Sequence, residues 1–461
     1  MSARTDDKVF EVHDREILKA AQSILEEKAI PRKMADAVLR AVQRNEDWRG
    51  KRCLNLLAPE APTSPTVRKL LAAEIGTRAA EGHIGRVNRW FAGTQYIDEV
   101  ESLCVELLKR AFRCRYADHR LMGSMLGNMA VYHALTQPGD TIMAVPQPFG
   151  GHSSNRLDGP AGMRGLKIVD VPFDPVELDV DLASFTQIAR REKPKLVAMG
   201  MSMTLFPLPV REMSAVISDY GGRFFFDGAH QAGLIAGGQF QDPLNEGAAV
   251  LTGSAGKTFS GPQSGMIFWN DPDLTKPLTD AIFPVLVATH QVNRVAALAV
   301  SAAEMLEFGN VYMAQIVKNS KALAKTLDQR GIPVLGAKRG YTQTHQVIAD
   351  VRKFGGGLTV AEKLAQASII TNKNLIPGDS PENWDRPGGL RIGTIEITRL
   401  GLTESDMDKI ARFFERVLID KEEPGSVRRD VEDFRLPLQN FYYCFDNGWP
   451  PSMAKKDKNT P

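Results

Sequence analysis

The sequence predicts an α/β protein with two parts: a large domain built on a mostly parallel sheet between helices, and a smaller C-terminal α/β domain. From about residue 95, helix-like segments such as YIDEVESLCVELLKRAF and SMLGNMAVYHALT alternate with the short apolar runs TIMAVP, LKIVDVP, KLVAMGM and RFFFD. Such alternation is the pattern of crossover units feeding a parallel sheet. The 461 residues, 43% of them hydrophobic, exceed one average domain and suffice for a large core.

Taken in order, residues 13–46 carry apolar positions Ile17, Ala20, Ile24 and Leu25 at spacings of three and four with charges between them, so residues 1–50 read as a helical N-terminal arm. Residues 51–310 form the large domain, closed by a helix from Val292 to Glu307 that ends at Phe308-Gly309-Asn310. Residues 311–461 form the small domain, with strands in THQVIADV and GGLRIGT, the amphipathic helix ESDMDKIARFFERVL and a polar, disordered tail MAKKDKNTP.

Charge and cysteine content exclude several function classes. A net charge of +2, from 57 basic and 55 acidic residues, gives no field that would gather nucleic acid or anionic membrane. Cys53, Cys104, Cys114 and Cys444 lack CxxC or metal-ligand spacing, so they read as reduced thiols, mainly in the core, and no metal is implied. The N-terminus MSARTDDKVFEVHD lacks the apolar region of a secretory signal, and no apolar stretch is long enough to span a bilayer. The expected location is the cytoplasm.

The chemistry is written around Lys257, in TGSAGKTFSGPQSG, 30 residues after Asp227 in FFFDGAH. A strand that delivers Asp227 and His230, followed by a strand ending at a glycine-flanked lysine, suits pyridoxal phosphate. The lysine amine binds the cofactor aldehyde, and the carboxylate holds the pyridine nitrogen protonated. A lysine becomes a nucleophile when burial or a nearby cation lowers its pKa. Gly253, Ser254, Ala255 and Gly256 would let the backbone approach a bulky group. In open α/β sheets ligands bind outside the carboxyl ends of the strands, where Asp227 and His230 fall.

FFFDGAHQAGLIAGG, TGSAGKTFSGPQSG and TNKNLIP followed by GGLRIGT resemble serine hydroxymethyltransferase, a pyridoxal phosphate family of fold type I. The likeness runs over about residues 52–436 and includes LNLLAPEAPTSP, AAEGHIGR, GNMAVYHALTQPGD and GGHSSNR. The resemblance implies a homodimer whose active sites draw on both chains. Position by position, it makes Lys257 the cofactor-linked lysine, Asp227 the partner of the pyridine nitrogen and His152 the imidazole stacked on the ring. It places His230 and Ser202 beside the ring's phenolic oxygen and Ser254 near the phosphate. It gives Arg391 the substrate carboxylate, which suits a planar fork of donors, and gives Glu81 proton handling at Cβ. Glu60, in APEAP, is a further substrate-side position.

Departures from the family pattern fall mostly on the substrate side. The phosphate-binding SGS reads Gly123-Ser124-Met125, where backbone N–H groups of the following helix could still hold a phosphate. Gly256 replaces a histidine, Pro59 a serine and Ala79 a tyrosine, and a tyrosine pair becomes Trp90 and Phe91 in a loop two residues longer. Tetrahydrofolate is left open, because Asn374 matches a folate-site asparagine while the aromatic pair has changed. The resemblance implies electron-sink chemistry retained on a changed amino-acid substrate, in one of two classes. One is cleavage or formation of a Cα–Cβ bond by hydroxymethyl transfer, aldol or transaldol reaction; YTQTHQV and FDN resemble segments of threonine transaldolases and archaeal-type hydroxymethyltransferases. The other is processing of an S-conjugated cysteine, by β-elimination or decarboxylation with oxidative deamination, as in enzymes of lincosamide antibiotic biosynthesis.

Overall fold

The computed structural model describes residues 14–27 and 30–453. Residues 1–13 and most of the polar tail, 454–461, lie outside the described residues. The arm is not one helix. Helices span Arg15–Glu27 and Pro31–Asn45, with Ile30 extended (φ −97°, ψ 118°) before Pro31. Proline disfavours helical backbone in the residue before it and is well placed at a helix start, which explains the restart. The arm's apolar face is unburied in the single chain: Ile17, Val38 and Leu39 are each more than 60% exposed.

The central sheet contains β1 (Tyr116–Asp118), β2 (Thr141–Ala144), β3 (Lys167–Asp170), β4 (Leu196–Gly200), β5 (Arg223–Asp227), β6 (Val250–Ser254) and β7 (Gly265–Trp269), all joined edge to edge. Its order is β1-β7-β6-β5-β4-β2-β3; the five strands from β6 to β3 run parallel, and β7 is antiparallel to both β6 and β1. Both faces of β4, β5 and β6 are covered, so these strands are continuous apolar runs, as buried parallel strands are. A three-stranded antiparallel sheet, β8 (Gln346–Asp350), β9 (Asn372–Asn374) and β10 (Gly389–Gly393), lies beyond in the order β8-β10-β9.

One helix of 38 residues, Val292–Gln329, links the two apolar cores. Val295 to Ile316 pack with the central sheet, whereas Leu323 and Leu327 pack with β8, β10 and the helix Met407–Leu418. The stop expected at Phe308-Gly309-Asn310 is therefore absent. Gly309 serves helix contact instead: a Cβ on Gly237 would lie 2.6 Å from the Gly309 carbonyl oxygen. Leu54–Asn55 pairs in parallel with Ile369–Ile370, so the chain entering the large sheet is also part of the second core.

Candidate active site

The strand ends converge on a cleft lined by Ser124, Met125, Asn128, His152, Ser154, Met201, Asp227, Ala229, His230 and Lys257. Asp227 closes β5 and is held as a carboxylate acceptor. Asn128 donates to its Oδ2 at 2.7 Å, Asn155 at 3.4 Å, and the Ala229 N–H reaches Oδ1 at 3.2 Å. Gly200, at the end of the neighbouring β4, makes room for this: a Cβ there would lie 2.7 Å from Asp227 Oδ2.

Lys257 follows β6 by three residues. Burial, set against the attraction of Asp227 and joined by repulsion from Arg391, lowers its pKa from 10.5 to about 8. The amine is thus closer to its neutral, nucleophilic form than a surface lysine is. His230 is 3% exposed, and burial together with the Lys257 and Arg391 cations holds it well below the ordinary imidazole range. His152 is lowered chiefly by burial. Its Nδ1 accepts the Ser154 N–H at 3.1 Å, and Ser154 Oγ in turn receives Asn128 Nδ2 at 2.8 Å.

Arg391, on β10, is buried, and desolvation lowers it to about 10. It donates to Asn372 Oδ1 at 3.1 Å and to the Ser202 carbonyl at 2.6 Å, which brings Ser202 into the same cluster. Gly123 precedes the 12-residue helix Ser124–Leu135, whose N-terminus opens on the cleft at Ser124 and Met125; nothing would crowd a Cβ on Gly123 within 4 Å. Ser254 is the buried end of β6.

Four expected substrate-side residues lie outside this cleft in their own chain. Glu60 is paired with Arg49. Trp90 and Phe91 are 68% and 45% exposed, and Trp90 packs edge-on against Phe283 with ring centres 5.6 Å apart. Glu81 accepts from the Thr289 hydroxyl, and its carbonyl accepts the Trp90 N–H at 3.1 Å. The Glu81–Trp90 loop is anchored by Arg89, which donates to the Ala80 carbonyl at 2.6 Å and to Asp98 at 2.8 Å, and pairs with the buried Glu101. Burial alone would raise Glu101, but the imidazoles of His119 and His290 hold it below the usual carboxylate range. With His290 on one oxygen and Arg89 on the other, the carboxylate is engaged on both sides.

Several site residues were not singled out from the sequence: Asn128, Ser154, Asn155, Asn372, His345 and Gln346. Each lies inside a motif the family resemblance rests on, GNMAVYHALTQPGD, GGHSSNR, TNKNLIP or YTQTHQV, and Asn128 also follows Ser124 by one helical turn and so shares its face.

The residues present fit pyridoxal phosphate. The lowered lysine faces a carboxylate fixed by three donors, and a helix N-terminus suited to an anion opens on the same cleft. A solved L-threonine transaldolase from Pseudomonas fluorescens, in its internal aldimine state, superposes with a TM-score of 0.82 and 27% identity over 94% of this chain and 98% of that one. Fold and site together define a pyridoxal-phosphate-dependent enzyme of fold type I. The family model of serine hydroxymethyltransferase matches residues 32–414. Serine hydroxymethyltransferases of Thermococcus kodakarensis and Pyrococcus horikoshii are 45% and 44% identical over 424 residues, covering 91% of this chain and 98% and 99% of theirs. That of Methanocella arvoryzae is 44% identical over 409 residues, 89% of this chain and 96% of its own. The chain belongs to the serine hydroxymethyltransferase family.

Proposed function

We propose that this enzyme breaks and forms the Cα–Cβ bond of a β-hydroxy amino acid in transaldol fashion: threonine gives up acetaldehyde, and the remaining glycine unit joins a second, bulkier aldehyde. The carrying observation is that the groups around Lys257 are hydrogen-bonded and buried as a cofactor cleft requires, while Trp90 and Phe91 stand where the family resemblance expects two tyrosines. Likeness to a threonine transaldolase over nearly the whole chain supports the reading.

When bound, pyridoxal phosphate supplies the electron sink for the bond broken at Cα. Lys257 would hold it covalently, and the Asp227 carboxylate would keep its pyridine nitrogen protonated. Arg391 binds the substrate carboxylate, and its anchorage on Asn372 and the Ser202 carbonyl fixes its fork. His152 and His230 stay neutral at physiological pH, so they act as hydrogen-bonding groups and not as cations.

Glu81 does not line the Lys257 cleft of its own chain. We infer a homodimer in which the Glu81–Phe91 segment of one chain completes the cleft of the other, with Glu81 handling protons at Cβ. The exposed apolar face of the N-terminal arm supports such pairing. Among the described residues no helix is long and apolar enough to cross a membrane and the four cysteines are unpaired; we place the enzyme in the cytoplasm.

A steady-state panel tests the reading: threonine with aliphatic and aromatic aldehydes, serine with tetrahydrofolate, and S-alkyl cysteines. Release of acetaldehyde dependent on a second aldehyde supports it. Serine with tetrahydrofolate turning over at kcat/KM of ~10⁴ M⁻¹s⁻¹ or above, with the other substrates inert, would make this an ordinary hydroxymethyl transfer enzyme. Exclusive reaction of S-alkyl cysteines would place it with the antibiotic-pathway relatives.

A further inference from the structure

Gln346 is the first residue of β8, on the small sheet, yet its side chain is fully buried and reaches His230, which lines the central cleft. Its amide orientation follows from its neighbours. The Thr204 N–H, which can only donate, meets Oε1 at 2.9 Å. The other end of the amide is therefore the NH₂, which lies 3.1 Å from the Ser202 carbonyl and 3.2 Å from His230 Nδ1. The carbonyl can only accept, so it takes one amide hydrogen. The second faces two ring nitrogens, His230 Nδ1 at 3.2 Å and His345 Nε2 at 3.4 Å; donation to the nearer, His230 Nδ1, requires a lone pair there.

We propose that Gln346 is a positioning residue that fixes the tautomer of His230, keeping its Nδ1 bare and its single proton on Nε2. His345 is the one rival partner at that nitrogen: its Nε2 lies 3.4 Å from His230 Nδ1, and the two rings are nearly parallel with centres 5.6 Å apart. A proton on His345 Nε2 would also be donated to Nδ1 and would enforce the same tautomer. The reverse arrangement, with His230 donating from Nδ1, would set that hydrogen beside the Gln346 NH₂ at 3.2 Å and leave both it and the second amide hydrogen to share the longer 3.4 Å contacts with His345 Nε2. His230 lines the cleft and its backbone carbonyl is held by Thr258 Oγ1 at 2.7 Å, so the proton it can offer there is the one on Nε2. The Ser202 carbonyl that orients Gln346 is also the acceptor of Arg391. The carboxylate-binding arginine and the tautomer of His230 are thereby set through one peptide group. The assignment rests on the cofactor site proposed above, but not on which amino acid that site transforms.

The test is two-bond proton–nitrogen NMR on the full-length, histidine-¹⁵N-labelled protein, with and without cofactor, the His230 signals being identified by their loss in His230→Gln. The expected state is neutral with the proton on Nε2. Gln346→Glu keeps the acceptor for Thr204 but replaces the donor facing His230 with an acceptor; His230 should then carry a proton on Nδ1. Turnover should fall on the order of 10²-fold in kcat, as for loss of one prearranged donor, with KM little changed, and Gln346→Asn should not restore it, being too short to reach. A wild-type His230 protonated on Nδ1, or an unmoved tautomer in folded Gln346→Glu, overturns the proposal. If that variant does not fold, the wild-type spectrum alone decides. An Nε2 proton in an enzyme that ignores threonine would sink the transaldol reading while leaving this assignment standing.

Discussion

Holding Lys257 in its working state costs folding stability, and the cost can be read from its pKa. In the unfolded chain the amine takes its proton at 10.5, and in the folded apoprotein at about 8. Below pH 8 it is charged in both states, and the folded form bears the desolvation of that charge. At about 1.36 kcal/mol per pH unit, the interval corresponds to roughly 3 kcal/mol. Between pH 8 and 10.5 the unfolded chain holds the extra proton, so wild-type stability gains with rising pH. Above 10.5 both states are neutral and the penalty is gone. Lys257→Met keeps the side-chain length without the charge. Its apoprotein should therefore resist urea better than wild type by ~2–3 kcal/mol at pH 7, an advantage shrinking toward zero across the window from about 8 to 10.5. Urea titrations of the two apoproteins at half-unit pH intervals measure this directly. An advantage that does not change with pH, or a variant less stable than wild type at pH 7, would refute the claim that the amine is held against its charged form.

Other consequences follow from the same contacts. Lys257→Ala should lose turnover and the visible absorption band of bound cofactor while keeping its circular dichroism; turnover at the wild-type rate with any substrate would remove Lys257 from its role. Asp227→Asn should keep part of its cofactor but lose most catalysis, because an amide neither carries the charge nor accepts from Asn128, Asn155 and Ala229 together; an unchanged kcat would show that another group holds the pyridine nitrogen. Arg391→Ala should weaken substrate binding by about 2–5 kcal/mol, read as a raised KM, and a decarboxylated amine should then lose nothing further. Glu101→Gln should lower stability by about 3–5 kcal/mol, the range for breaking a buried ion pair; a melting temperature equal to wild type would mean the Arg89 and His290 contacts are energetically idle.

The sequence was legible where local pattern and chemistry coincide. Strands β4 and β5 read as apolar runs because both their faces are covered, and Asp227, at the end of one, and Lys257, in a glycine-flanked stretch just past β6, stood out at the edge where ligands bind. Elements governed by distant contacts were not legible. Gly309 resembles a helix stop but is a contact with Gly237, 72 residues away in the chain. Gln346 opens a strand of the small sheet and His345 precedes it, and only folding brings them to His230, 116 and 115 residues distant. The Arg89–Glu101–His290 cluster joins a loop, a helix and the start of the long helix, and no single segment announces it.

Support is distributed unevenly across the site residues. Asp227 is tied to three donors, His152 to Ser154, Arg391 to Ser202 and Asn372, and Gly200 leaves no room for a Cβ beside Asp227. Altering any of these leaves a buried polar group unpaired or forces a clash, so each substitution has a stability penalty besides its catalytic one. Trp90 packs on Phe283 within the single chain, but among the described residues the side chains of Trp90 and Phe91 carry no such hydrogen bond. They are largely exposed in the single chain, and what fixes their loop is the backbone contact of Trp90 with Glu81 and the Arg89–Glu101 anchor behind it. Side chains at those positions can be exchanged while the anchor keeps the loop and Glu81 in place. Substitution at those two positions therefore carries little of the folding penalty, in the single chain, that attaches to the buried groups.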